Sequence, residues 1–139
     1  DSRTFYHGHT FSGNPLAAAA ALATLDVFDE EETLRKIPEK SRLLSDYLAP
    51  LASHPHVGDI RQRGLIAAIE LVRDRDHGEP FAWSERRGQR VCDFALSRGV
   101  WLRPLGDVIV VMPPLAIQPD ELQQIVEAVR DGIDHATSI

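Results

Sequence analysis

The sequence predicts an α+β fold in which an antiparallel or mixed sheet carries helices on one face and a long helix precedes the sheet. The periodic segments follow the order helix, helix, strand, strand, helix, strand, strand, helix. Strands adjacent in sequence are separated only by short turns, which favours antiparallel pairing. The 139 residues are 43% hydrophobic, which is enough to bury the core of one domain of common size.

Composition limits the function classes. The net charge is −6 at pH 7 and no basic block is interleaved with aromatic residues, which argues against nucleic acid or an anionic membrane surface as a partner. No apolar run is long enough to span a bilayer. The single cysteine, Cys92, excludes an internal disulfide and a cysteine-based zinc site, and its apolar helical surroundings predict a buried structural thiol. The cytoplasm is therefore the expected compartment.

A polar loop leads into the first helix. Asn14 is a good N-cap, Pro15 suits the first turn, and the alanines at 17–21 favour a helix that continues to Phe28. In the loop before it, Gly8 removes side-chain bulk and Thr10 adds a hydroxyl. Backbone N–H groups and a hydroxyl at that place can bind an anion, and an ordinary solvated loop is the alternative.

A second helical region is predicted between residues 34 and 51. The acidic run at 29–32 should lie at a solvated helix end or start, and Pro38 should interrupt the second helix or begin it anew. Lys36 and Lys40 fall on a charged outer face. Residues 53–56 then end the helical region.

Two strands and a third helix follow. Val57–Arg63 is the first predicted strand, and the second places alternate residues from 65 to 71 on one face. Residues 73–80 form a polar turn. Ser84 should cap the third helix, and Gly99 should end it.

The last part of the chain predicts two further strands and a final helix. Residues 100–103 and 108–112 are the strands, and residues 105–107 form the turn between them. Pro113 and Pro114 end the second of these strands. The final helix begins at Pro119 and carries one apolar stripe, which consists of Leu122, Ile125, Val126, Val129 and Ile133.

Arg103 is a candidate for binding a carboxylate. It ends an apolar strand, directly before Pro104, and Trp101 lies two residues back on the same face. A guanidinium held in that way can grip a carboxylate through two parallel hydrogen bonds. The alternative is a structural ion pair with Asp107 or Glu70.

Two histidine pairs could supply metal ligands. His7 and His9 form one pair, and His54 and His56 form the other. Each pair supplies only two ligands and has no acidic partner nearby in sequence, so no metal site is predicted.

Several runs resemble class III pyridoxal-phosphate aminotransferases. The run FYHGHTFSGNPLA at residues 5–17 resembles the segment that follows the cofactor-binding lysine in that family. The runs GVWLRPLGDV at 99–108 and MPPL at 112–115 resemble its C-terminal domain, as do residues 61–71 and 80–92. The resemblance covers nearly the whole chain. It implies the small domain of a fold-type I transferase, with residues 1–14 ending the large cofactor-binding domain, residues 15–52 forming interdomain helices and residues 53–139 forming the small domain.

The resemblance also implies roles for four residues. Gly8, His9 and Thr10 match the loop that reaches the phosphate of pyridoxal 5'-phosphate in the neighbouring subunit of a homodimer. Gly8 and Arg103 match substrate-binding positions, with Arg103 on the distal carboxylate. The implied reaction is transamination of 8-amino-7-oxononanoate by an amino donor, a step of biotin biosynthesis.

The same resemblance implies that this chain is incomplete as a catalyst. The Schiff-base lysine of the family would precede Asp1, and the only lysines here are Lys36 and Lys40. We therefore expect a C-terminal fragment that is inactive alone and contains no catalytic residue. Another class III ω-aminotransferase and a non-catalytic α+β interaction module are the alternatives.

Overall fold

The computed structural model describes residue 3 and residues 5–138, so the predictions that fall on Asp1 lie outside the described residues. The helices are α1 (Pro15–Glu30), α2 (Thr33–Leu48), α3 (Arg87–Ser97) and α4 (Pro119–Thr137). The strands are β1 (Val57–Arg63), β2 (Ile66–Leu71), β3 (Arg103–Leu105) and β4 (Val108–Val111). Short 3-10 segments occupy Ala49–Ser53 and Trp83–Glu85. This confirms the predicted α+β class and the order of elements.

The chain divides into two compact units, one up to Arg35 and one from Lys36 onward. The first unit contains the amino-terminal loop and α1. As predicted, Asn14 caps α1: its side-chain oxygen accepts from the N–H groups of Leu16 at 3.0 Å and Ala17 at 3.3 Å. Within this unit α1 buries none of its residues, although it is rich in alanine and leucine.

The second unit is built on a four-stranded sheet with the order β1-β2-β4-β3, and every pair is antiparallel. Alternate residues of the central strands face the core, where Ala67, Ile69, Ile109 and Val111 are fully buried. One hydrophobic cluster joins them to residues of α2, α3 and α4, so the helices cover one face of the sheet. The opposite face stays open, and Arg103 lies on it because it pairs with Val110 across the β3–β4 ladder.

The predicted break at Pro38 is wrong, because α2 continues through it. Proline lacks an N–H group, so only the bond to the carbonyl four residues earlier, at Leu34, is lost. Both residues are exposed, and water can bond that carbonyl instead. The predicted solvated junction at 29–32 is confirmed: α1 ends at Glu30, and Glu32 turns the chain with φ +50°.

The predicted cap at Ser84 is also wrong. Residues Trp83–Glu85 form a separate 3-10 turn, and Arg86 then adopts φ +49° before α3 begins. The cap comes from elsewhere, since the side-chain oxygen of Asp107 accepts from the N–H of Gly88 at 3.0 Å. A contact between elements therefore sets where this helix begins. Its predicted end is confirmed at Gly99, which has φ +80°.

The strand predicted at residues 100–103 begins later, at Arg103, and includes Pro104. A proline fits because β3 is an edge strand, where one N–H side has no ladder partner. The final helix is confirmed with Pro119 as its first residue. None of the helices in the described part of the chain is long and apolar enough to cross a membrane.

Candidate functional site

The amino-terminal loop is held by a compact set of local hydrogen bonds. The Ser12 N–H donates to the His9 carbonyl at 3.0 Å, and the His9 N–H donates to the Ser12 Oγ at 3.1 Å. The imidazole takes part as well, because His9 Nδ1 accepts from the Phe11 N–H at 3.1 Å. That bond assigns the ring proton to Nε2, which is left as a donor. The loop is thus ordered by its own polar groups just before α1.

Gly8 and Thr10 add three donors that have no partner among the described residues. These donors are the two backbone N–H groups and the Thr10 hydroxyl, and both residues are exposed. A Cβ added at Gly8 would meet no atom within 4 Å, so the approach to its backbone is open. With the His9 Nε2–H group, residues 8–10 present four free donors and no carboxylate, which suits an anion such as a phosphate.

Arg103 lies in the second unit, so the structure places it in a different unit from the amino-terminal loop. It is exposed at the start of β3. Both carboxylates considered as its structural partners are engaged elsewhere. Asp107 accepts from the Gly88 N–H, and Glu70 accepts from the Arg61 guanidinium at 2.6 Å. Within the described residues the Arg103 guanidinium has no ion pair, so it is available to a ligand.

Arg103 lines a groove of about 460 Å³ beside the edge of the sheet. The groove is mostly apolar, and Trp101, which is 82% exposed, lines it together with Arg103. The loop after β4 also lines the groove, with Met112, Pro113, Pro114 and Ile117. The first turns of α4 contribute Glu121, Gln124 and Ile125. A cationic group in an apolar groove suits an aliphatic chain that ends in a carboxylate.

Sequence reasoning missed one part of the groove lining and one contact to the loop that contributes it. It treated Pro113 and Pro114 only as a strand end, whereas they line the groove beside Arg103. It placed Lys40 on a solvated face, whereas its ammonium donates to the Leu115 carbonyl at 2.7 Å. The tandem proline was a usable signal, because it stiffens the loop after a strand. Nothing in the local sequence pairs Lys40 with a residue 75 positions away.

The histidine pair in the second unit is occupied by protein contacts. His54 Nε2 lies 3.1 Å from an Asp134 carboxylate oxygen, and its Nδ1 accepts from the His56 N–H at 3.1 Å. His56 Nδ1 lies 3.1 Å from the carbonyls of Val72 and Arg73. Across residue 3 and residues 5–138, no three His, Cys, Asp or Glu side chains are grouped so that they could hold a metal ion.

Comparison with known proteins gives the family. The model of the class III aminotransferases matches residues 2–133. The adenosylmethionine-8-amino-7-oxononanoate aminotransferase of Geobacter sulfurreducens is 53% identical over 137 residues, which are 99% of this chain and 30% of that protein. The protein of the same name from Nitratidesulfovibrio vulgaris is 54% identical over 133 residues, which are 96% of this chain and 24% of that protein.

A solved structure agrees with these relatives. The crystal structure of adenosylmethionine-8-amino-7-oxononanoate aminotransferase from Methanocaldococcus jannaschii matches with a TM-score of 0.88 and 40% identity. The match covers 96% of this chain and 31% of that one, so the chain spans less than a third of the relatives named here. Sequence and fold agree along nearly its whole length, and the chain belongs to the class III aminotransferase family.

Proposed function

We propose that this chain forms the C-terminal part of an aminotransferase that converts 8-amino-7-oxononanoate to 7,8-diaminononanoate in biotin biosynthesis. The observation that supports this substrate assignment is the Arg103 guanidinium, which lies in an apolar groove and has no ion pair among the described residues. The substrate is an aliphatic chain with a carboxylate at the end distant from its reacting ketone. The names of relatives that are more than 50% identical to the chain support the same substrate.

The proposal includes pyridoxal 5'-phosphate, the cofactor on which the family depends. Gly8, His9 and Thr10 would hold its phosphate, because the backbone N–H groups of Gly8 and Thr10, the Thr10 hydroxyl and the ring Nε2–H of His9 can donate to phosphate oxygens. When bound, the cofactor supplies the electron sink that lets an amino group pass from donor to ketone. This chain's own contribution is to bind and orient the cofactor and the substrate.

Arg103 would act by positioning. Two parallel hydrogen bonds from its guanidinium fix the substrate carboxylate, and the apolar groove excludes water from the aliphatic chain. The ketone is then presented at a fixed distance from the point of carboxylate capture. Chain length would therefore determine which substrates react, since a shorter acid held by Arg103 leaves its carbonyl short of the cofactor.

The remaining parts of the proposal concern the whole protein. The lysine that binds the cofactor would lie before Asp1, in a large domain that ends at residue 14. Residues 15–52 would connect that domain to the small domain at 53–139. The protein would be a cytoplasmic homodimer in which the loop at residues 8–10 reaches the neighbouring subunit. The amino donor would be a second small molecule.

Removal of the guanidinium tests the substrate assignment. In the full-length protein, Arg103→Ala should lower kcat/KM for 8-amino-7-oxononanoate roughly 10- to 150-fold, the equivalent of one lost charged hydrogen-bonding group at about 1.5–3 kcal/mol. Cofactor affinity should not change. Arg63→Ala is the matched control, because Arg63 is also exposed on the sheet but does not line the groove. Equal losses in both variants would refute the assignment.

Removal of one loop donor tests the phosphate assignment. Thr10→Ala should raise the dissociation constant of pyridoxal 5'-phosphate by roughly tenfold or more in an absorbance titration. Thr10→Ser keeps the hydroxyl and should bind like the parent. If the alanine and serine variants bind the cofactor equally well, the Thr10 hydroxyl does not contact the phosphate.

A further inference from the structure

The groove has a lining segment that is fixed from a distant part of the chain. Residues 112–118 connect β4 to α4, and four of them line the groove that contains Arg103: Met112, Pro113, Pro114 and Ile117. The place of this segment therefore sets the width of the groove. Any group that holds the segment still also holds the space in which Arg103 would meet a carboxylate.

Two hydrogen bonds join residues within this segment. The Ile117 N–H donates to the Pro114 carbonyl at 3.0 Å, and the Gln118 side chain donates to the Ala116 carbonyl at 2.8 Å. Between residues 113 and 117, the described structure gives one hydrogen bond to a residue outside the segment. That bond runs from Lys40 Nζ in α2 to the Leu115 carbonyl at 2.7 Å.

We propose that Lys40 is a positioning residue for the groove. By holding the Leu115 carbonyl, its ammonium fixes the neighbouring Pro113 and Pro114 at the distance from Arg103 that admits the substrate chain. This inference rests on the proposed function, because it assumes that the groove binds the carboxylated substrate.

The hydrogen bond from Lys40 to the Leu115 carbonyl should contribute little to the stability of the fold. Leu115 is 37% exposed, so its carbonyl can bond water when Lys40 is removed. An exposed contact of a lysine also loses much of its gain to the entropy of ordering a long side chain. The bond thus adds little to the free energy of unfolding. It acts together with the buried Pro113 and Ile117 to define where the segment lies.

The test uses two lysines of the same helix in the full-length holoenzyme. Lys40→Met should raise the KM for 8-amino-7-oxononanoate roughly tenfold, because an ångström-scale displacement of a binding wall is costly, and should leave kcat within about twofold. The KM for the methyl ester of the same substrate should rise less than that for the acid, because the ester keeps the aliphatic chain but is not held by Arg103. Lys36→Met is the matched control, since Lys36 is exposed and has no hydrogen bond or ion pair among the described residues.

Two further measurements separate positioning from folding. Lys40→Arg keeps a cationic donor and should recover most of the parental KM. Titration calorimetry with heptanoate, which keeps the aliphatic chain and carboxylate, should show weaker binding to Lys40→Met than to Lys36→Met. The thermal midpoints of the two methionine variants should agree closely.

The outcomes distinguish two failures. Two results would overturn the role of Lys40, provided that Arg103→Ala still raises the KM for the acid. One is an unchanged KM in Lys40→Met. The other is an equal rise in KM for the acid and for its methyl ester. If Arg103→Ala leaves the acid-to-ester ratio of KM unchanged, the groove does not bind the carboxylate. In that case the proposed function and the inference built on it both fail.

Discussion

Gly88→Ala should separate α3 from the turn between β3 and β4. Gly88 lies in the first turn of α3, where its N–H donates to the Asp107 side chain at 3.0 Å. A Cβ at this position would lie 2.2 Å from the Gly106 carbonyl oxygen and 3.2 Å from the Asp107 Cα. Both neighbours are backbone atoms of a tight turn, so neither can rotate away. The helix and the turn must move apart by about 1 Å to restore ordinary contact.

Gly88→Ala should lower the local stability of the fold for two reasons. Overpacking of this kind costs about 1–3 kcal/mol. A displacement of 1 Å also breaks the hydrogen bond to the Asp107 carboxylate, which contributes about 1.5–3 kcal/mol. The higher helix propensity of alanine offsets up to about 1 kcal/mol of this loss. The net loss of local stability should be about 2–5 kcal/mol.

Hydrogen exchange followed by mass spectrometry measures this loss in the full-length protein. Amides in α3 and β4 should exchange roughly 30- to 5,000-fold faster in Gly88→Ala, the equivalent of that free energy. Asp107→Asn serves as a control, because it keeps an acceptor at the helix start and loses only the charge, at about 0.3–1 kcal/mol. Exchange in Gly88→Ala within threefold of the parent would refute the close contact.

Two further predictions concern titratable groups. Burial raises the pKa of the Cys92 thiol to about 11, so a maleimide should label it slowly at pH 7 in the folded protein and rapidly after unfolding. Hydrogen bonds from Arg87 first, then from the Ala82 N–H and from Arg73, hold the pKa of Glu85 below its ordinary value of 4.5. A carboxyl with a lowered pKa stabilises the fold above pH 4.5 and loses that contribution as the pH falls through the folded value. Glu85→Gln should therefore remove part of the acid dependence of the thermal midpoint, and an unchanged acid profile would exclude this role for Glu85.

Local patterns were sufficient where a single segment decides its own structure. The Asn14 cap, the alanines of α1 and the alternation in β2 are all local signals, and each gave the observed element. The predicted family and α+β class are confirmed for the same reason, because motif and periodicity are properties of short runs.

Contacts between distant residues explain what local patterns missed. Ser84 is a better N-cap by residue type than Arg86, yet Asp107 caps α3 from a turn about 20 residues away. The alternative for Arg103 is an ion pair with Asp107 or Glu70, but Gly88 and Arg61 engage these two carboxylates. Nothing in the spacing of the chain shows which of several partners a carboxylate will choose.

The exposure of α1 has a practical consequence. A helix that is rich in alanine and leucine and buries none of its residues within its own unit presents an apolar surface on several sides. Such a surface tends to self-associate when the 139-residue chain is expressed by itself. A shorter chain that starts at Lys36 keeps the sheet, α3, α4 and the part of α2 that packs on the core, and it omits α1. It should therefore stay monodisperse at concentrations at which the 139-residue chain precipitates.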